Sequence, residues 1–197
     1  MEKKLLLFII GLISIIDANA KKIDGIIVLK NDSISHVTFN IPFYPLFGLW
    51  FEGIQGKIKY YNSANELIKL KPCQAKEIRF TYKDEDIRML SCEDRIFLTL
   101  IVDGRLKLFY VYDRGNGRDE GNNSHWLLQK GDGGLFYPPQ HESDKKFEKE
   151  MKDYLSDCPE VIKKTEIPGY GHSVWGTFGG GFGFDIVEIV KEYNNCK

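Results

Sequence analysis

Between Lys57 and Asp113 the chain alternates apolar and polar residues persistently enough to set the fold class. Ile78, Phe80 and Tyr82 fall on one side of an extended chain, and Glu77, Arg79, Thr81 and Lys83 fall on the other. That is the period of a strand with one wet face. Farther on, Ile96 to Val102 and Arg105 to Tyr112 flank Asp103-Gly104. Asp-Gly suits a two-residue turn with positive φ at both central positions, and folding about it sets Ile101 opposite Leu106 and Leu98 opposite Phe109.

Turn residues divide the rest of this region in the same way. Asn62-Ser63-Ala64-Asn65 separates Lys57 to Tyr61 from Glu66 to Lys71, and Lys83-Asp84-Glu85-Asp86 separates Ala75 to Tyr82 from Ile87 to Ser91. Gly25 to Asn40 reads as an opening hairpin around Lys30-Asn31-Asp32-Ser33. Trp126 to Lys130 with Leu135 to Tyr137 reads as a closing one, ended by Pro138-Pro139. The expected fold is mainly β (α+β), an antiparallel curved sheet or partly open barrel closed by C-terminal helices. Those helices are read from Phe147, Met151, Tyr154 and Leu155, from a restart at Pro159, and from Ile186, Ile189, Val190 and Tyr193 behind an Asp185 cap.

Lys3 and Lys4 precede an apolar run from Leu5 to Ile16, and Ala18-Asn19-Ala20 offers small residues for cleavage. This is the pattern of an export signal over residues 1–20, and its apolar run is short for a membrane span. The expected organisation is a signal peptide over 1–20, an antiparallel β domain over 21–139, and a helical unit over 140–197 packed on it, with a glycine- and aromatic-rich loop at 168–184. No transmembrane helix is expected in the mature chain, which is expected in the periplasm or at the cell surface. Net charge is −1 with both signs interspersed, so a nucleic-acid partner is disfavoured.

All four cysteines follow the signal, where disulfides persist, and four allow three pairings. Cys158 and Cys196 end the first and last long helices and would bridge if those helices lie side by side. Cys73 and Cys92 flank a hairpin but are out of direct register about its turn, so a bridge there needs an offset.

Two stretches depart from the plain sheet pattern. Ile41 to Ile54 carries Phe43, Tyr44, Phe47, Trp50 and Phe51 among prolines and glycines. Pro168 to Phe184 carries Tyr170, Trp175, Phe178 and Phe182 on a glycine-rich backbone that matches neither phosphate-loop pattern. Each stretch has two readings: aromatic side chains folded back onto the sheet, or a contact surface for a protein, glycan or lipid. The histidines His36, His125, His141 and His172 are scattered, and no GxSxG, HExxH or Cys-His signature occurs. No cofactor or metal is expected. The leading expectation is a non-enzymatic envelope domain that binds through its aromatic loops. The alternatives are a ligand-free assembly component and a periplasmic enzyme with a site assembled from distant residues.

Several short segments carry a resemblance. They are Asn31-Asp32-Ser33-Ile34, Lys57-Ile58-Lys59-Tyr60, Leu70-Lys71-Pro72, the run from Tyr154 to Pro159, and Tyr193-Asn194-Asn195-Cys196. With them the mature chain resembles exported β-rich proteins recurrent in Bacteroidetes. The resemblance implies export, and with no activity assigned to that group it transfers no functional residue. Both aromatic stretches look like additions to the plainer pattern.

Overall fold

A computed structural model describes residues 19–45, 48–112, 125–138, 144–165 and 182–196. The fold is mainly β, as the alternation predicts, with ten strands in antiparallel pairing and three helices near the C-terminal end. The chain divides into two compact units, Met1–Phe97 and Leu98–Lys197.

The first unit begins with β1 (Asn19–Leu29) and β2 (Ile34–Tyr44), followed by the short β3 (Gly48–Leu49) and one helical turn, α1 (Glu52–Gln55). Two hairpins follow, β4 (Ile58–Tyr61) with β5 (Leu67–Leu70), and β6 (Ala75–Tyr82) with β7 (Glu85–Cys92). The hydrogen-bonded order is β7-β6-β1-β2-β4-β5, with β3 attached to β2, so this sheet is open at β5. Strand β1 starts earlier than the expected hairpin. Asn19 and Ala20 pair with Phe43 and Pro42, so these last two residues of the expected signal lie in the ladder. Residues 1–18 are outside the described residues.

Turn chemistry fixes these registers. Lys83 and Asp84 both have positive φ, 51° and 65°, and form a two-residue turn that sets Tyr82 opposite Glu85. Asn62 closes the β4–β5 turn by accepting the backbone N–H of Ala64 at 3.0 Å and of Glu66 at 2.8 Å. The tight β6–β7 turn also decides the cysteines. With Glu77 opposite Leu90, Cys92 is buried at the end of β7 while Cys73 is exposed in a 3-10 turn, Pro72–Gln74, and the two are not bridged. The expectation of a bridge between them is therefore corrected.

The core of this unit lies on one side of the sheet. Ile23 and Ile27 of β1, Phe39 and Ile41 of β2, Ile58 of β4, Ile78 and Phe80 of β6 and Met89 of β7 join Leu49 and Ile54, which the β3–α1 return lays over them. At ~25 cal/mol per Å2 of apolar surface removed from water, each fully buried side chain contributes about 1.5–3 kcal/mol. Gly25 sits on the same inner side, where a Cβ would lie 2.7 Å from the Phe39 ring and 2.2 Å from the Arg79 carbonyl oxygen.

The second unit contains most of β8 (Ile96–Val102), then β9 (Leu106–Val111) and β10 (His125–Lys130), and three helices, α2 (Asp144–Tyr154), α3 (Pro159–Thr165) and α4 (Phe182–Asn195). Leu106, Leu108 and Leu128 of the strands meet Met151, Leu155, Val161, Ile186, Ile189, Val190 and Tyr193 of the helical region in one core. Cys158 and Cys196 are bridged, as the helix ends predict, with Cα atoms 6.1 Å apart. Helix α4 starts at Phe182, ahead of the expected Asp185 cap, so Asp185 lies inside it.

The β8–β9 register differs from the two-residue turn. Leu100, not Leu98, faces Phe109, and a bulge separates Leu100 from Val102. Asn194, at the end of α4, meets the tip of this hairpin. Its Oδ1 accepts the Leu106 N–H at 2.8 Å and its Nδ2 donates to the Leu106 carbonyl at 2.9 Å. The side-chain amide thus takes the place of a strand neighbour at the hairpin tip, and Gly104, at φ +152°, leaves room for it.

Candidate functional site

Core packing uses the inner side of the first unit's sheet and leaves an outer face on which polar side chains lie around Ile26. Alternation puts Asp24 and Ile26 of β1 outward between Ile23 and Ile27. Thr38 pairs with Asp24 and with Tyr61, and His36 and Arg79 both pair with Ile26. Gly25 opposite Phe80 brings Thr81 beside Asp24, and Thr81 pairs with Asp86. One row therefore runs Tyr61, Thr38, Asp24, Thr81, Asp86 across β4, β2, β1, β6 and β7. At ~4.8 Å between neighbouring strands it is about 19 Å long. Thr38 donates its hydroxyl to Asp24 Oδ1 at 2.7 Å, and Thr81 donates to Asp86 Oδ1 at 2.9 Å. Each threonine fixes its carboxylate through a single oxygen.

The neighbouring row carries Arg79 and Arg88, paired across β6 and β7. Two like charges opposite each other are unfavourable alone. Glu77 resolves this by accepting Arg79 Nε at 2.5 Å, Arg79 Nη2 at 2.9 Å and Arg88 Nε at 2.7 Å. Glu77 is only 7% exposed. Burial pushes its carboxyl up, but the hydrogen bonds and charges of the two guanidiniums outweigh that and hold it below the usual range.

Two shallow depressions lie on this face and share Asp24, Gly25 and Ile26. One, of about 670 Å3, is lined also by His36, Thr38, Tyr61 and Asn62. The other, of about 330 Å3, is lined also by Arg79, Thr81, Asp86 and Arg88. The charged residues lining them are Asp24, Asp86, Arg79 and Arg88, equal in sign count. The Tyr61 ring bounds the larger depression, with the Lys22 ammonium 4.4 Å from its centroid.

Of the described aromatic residues of the first anomalous stretch, two support the core and two pair with each other. Phe43 and Phe51 pack against it, and the Phe51 ring stacks on Phe80 at 6.5 Å. Trp50 meets Tyr44 at 5.8 Å, donates its indole N–H to Glu52 at 3.1 Å, and lies against Gly53. All four side chains are half-buried. Phe47, Tyr170, Trp175 and Phe178 lie outside the described residues, and Phe182 is described only as backbone at the start of α4.

A second polar cluster ties the helices of the second unit to β10. Asp157 accepts Lys130 Nζ at 2.6 Å and the Tyr193 hydroxyl. Lys130 also lies over the rings of Tyr154 and Tyr193, at 5.0 and 5.1 Å, and Tyr154 stacks on Phe136 at 4.1 Å. Burial nudges the Asp157 carboxyl up, but the Lys130 and Tyr193 hydrogen bonds bring it down to about 2. Burial, aided by the Asp157 hydrogen bond, pushes Tyr193 up, and burial does the same to Tyr154. At neutral pH this carboxyl is held charged and these phenols protonated, which suits an internal brace and not proton exchange.

Among the described residues no group of three or more His, Cys, Asp or Glu is arranged to hold a metal ion, and no helix is long and apolar enough to cross a membrane. Sequence reading misses the outer row because the row exists only across five strands. Its one local signal is the Asp24-Gly25-Ile26 alternation, hidden when the opening hairpin is read from Gly25. No protein-family model, curated protein sequence or solved structure matches this chain.

Proposed function

We propose that this chain is a non-enzymatic domain exported to the cell envelope, in the periplasm or at the cell surface, which binds a partner through the outer face of its first unit. The observation that carries this reading is the row from Tyr61 to Asp86, set over two depressions on a sheet whose other face is already occupied by the core. Export is supported by Lys3, Lys4 and the Leu5 to Ile16 run, and by the Cys158–Cys196 bridge, which suits an oxidising compartment. We favour this polar face over the first aromatic stretch because Phe43 and Phe51 pack against the core and Trp50 packs on Tyr44; Tyr170, Trp175 and Phe178 of the second stretch lie outside the described residues.

The test compares native and denaturing mass spectra of protein taken from its own cell envelope. Wild type is expected to retain extra mass under native conditions only. A Thr38→Ala, Asp24→Ala, Thr81→Ala variant is expected to lose it. Absence of retained mass in wild type, or equal retention by the variant, contradicts the proposal.

A further inference from the structure

We infer that the occupant of this face is an uncharged glycan lying across the strands, an inference that rests on the binding role proposed above. Charge balance is the first argument. The residues lining the depressions carry Asp24 and Asp86 against Arg79 and Arg88, and Arg79 and Arg88 already share the buried Glu77. A phosphorylated, sulfated or uronic chain would face two exposed carboxylates, and a polycation would face two guanidiniums, so either meets like charge that costs affinity.

Group chemistry is the second argument. Sugar hydroxyls both donate and accept, and the row offers hydroxyls and carboxylates in turn, one per strand at ~4.8 Å intervals. Thr38 and Thr81 hold Asp24 and Asp86 in place beforehand, which lowers the ordering cost of binding. At the end of the row Tyr61 supplies a flat ring beside the larger depression, and the C–H face of a sugar packs on such a ring. The Lys22 ammonium covers that ring at 4.4 Å from an exposed side chain, so a sugar displaces it at little cost. A lipid tail finds Ile26, Phe80 and Ile87 here interrupted by Asp24, Arg79, Thr81, Asp86 and Arg88, and the exposed aspartates are of a type depleted at the centres of protein interfaces.

The experiment applies the oxidised full chain to immobilised oligosaccharides, one set neutral and one set sulfated, phosphorylated or uronic. Wild type, Tyr61→Ala and Asp24→Asn are compared, with a thermal melt of each. Binding to neutral members, weakened at least tenfold in both variants with melting temperature unchanged, is the expected result. Binding confined to the acidic set and lost in the variants overturns the inference of an uncharged glycan and leaves the binding face standing. The glycan assignment alone also falls if no glycan binds while the variants still strip a non-carbohydrate mass retained from the envelope. Glycan binding that both variants keep overturns the assignment of the face itself.

Discussion

Phe39 of β2 and Phe80 of β6 meet edge to face, ring centroids 5.8 Å apart, although β1 runs between their strands. Gly25 permits it, because a Cβ there would fall 2.7 Å from the Phe39 ring and 3.0 Å from the Phe80 Cβ. On the opposite side of β1, Asp24 and Ile26 flanking Gly25 belong to both depressions of the outer face. Gly25→Ala also drives its methyl to 2.2 Å from the Arg79 carbonyl oxygen, which only backbone movement relieves. The expected loss is at least about 2 kcal/mol by urea denaturation, within or above the overpacking range. An unchanged midpoint would show that the inner side of β1 is not closed.

Asn194 supplies the strand-like partner for Leu106. Asn194→Ala leaves a part-buried N–H and carbonyl unpaired and is expected to cost about 1–3 kcal/mol. Asn194→Asp keeps the acceptor for the N–H but sets a carboxylate against the Leu106 carbonyl, so it too destabilises. Hydrogen exchange at the Leu106 amide gives the local readout. Protection there should fall in both variants.

The Cys158–Cys196 bridge spans a sequence separation of 38. On the loop-entropy model its removal costs about 4 kcal/mol. Chemical unfolding of a Cys158→Ala, Cys196→Ala chain checks this, and reducing the wild type should move it by a similar amount. A loss below about 1 kcal/mol would mean that the helices hold their places through the hydrophobic core alone.

Asp157 carries a pH dependence. Its folded pKa of about 2 lies below the ordinary 3.8, so its contribution is complete above about pH 4 and disappears as pH falls through about 2. Its side chain is 50% exposed, and screening limits the effect to about 1 kcal/mol or less. Melting temperature followed from pH 6 to pH 2 should fall less steeply in Asp157→Asn than in wild type. Parallel curves would remove Asp157 from the acid limb. Tyr193 acts at the other end: its raised pKa means its contribution holds at neutral pH and declines only in strong alkali.

Local alternation and turn residues make much of this fold legible. The β4–β5 and β6–β7 hairpins, the helical restart at Pro159 and the Cys158–Cys196 bridge follow from side-chain period and from Asn, Asp and Pro chemistry within a few residues. What is not legible depends on distant partners. Asp103-Gly104 looks like a two-residue turn, whereas the hairpin is bulged and its tip is held by Asn194, far along the chain. Phe43 and Phe51 suit either contact or core until β3 pairs with β2 and the chain returns over the sheet. The candidate site is hidden for the same reason, because Tyr61, Thr38, Asp24, Thr81 and Asp86 become neighbours only through inter-strand registers.

The most direct measurement pairs thermal melting with retention of envelope material for Trp50→Ala and Tyr61→Ala. Trp50→Ala removes the contact with Tyr44 and the indole bond to Glu52, so it should lower stability by about 1–2 kcal/mol while the protein, kept below its midpoint, still retains its partner. Tyr61→Ala should melt close to wild type and lose the partner. The opposite pattern, Trp50→Ala stable but unable to bind and Tyr61→Ala binding normally, would contradict the assignment of function to the polar outer face and return it to the aromatic stretch.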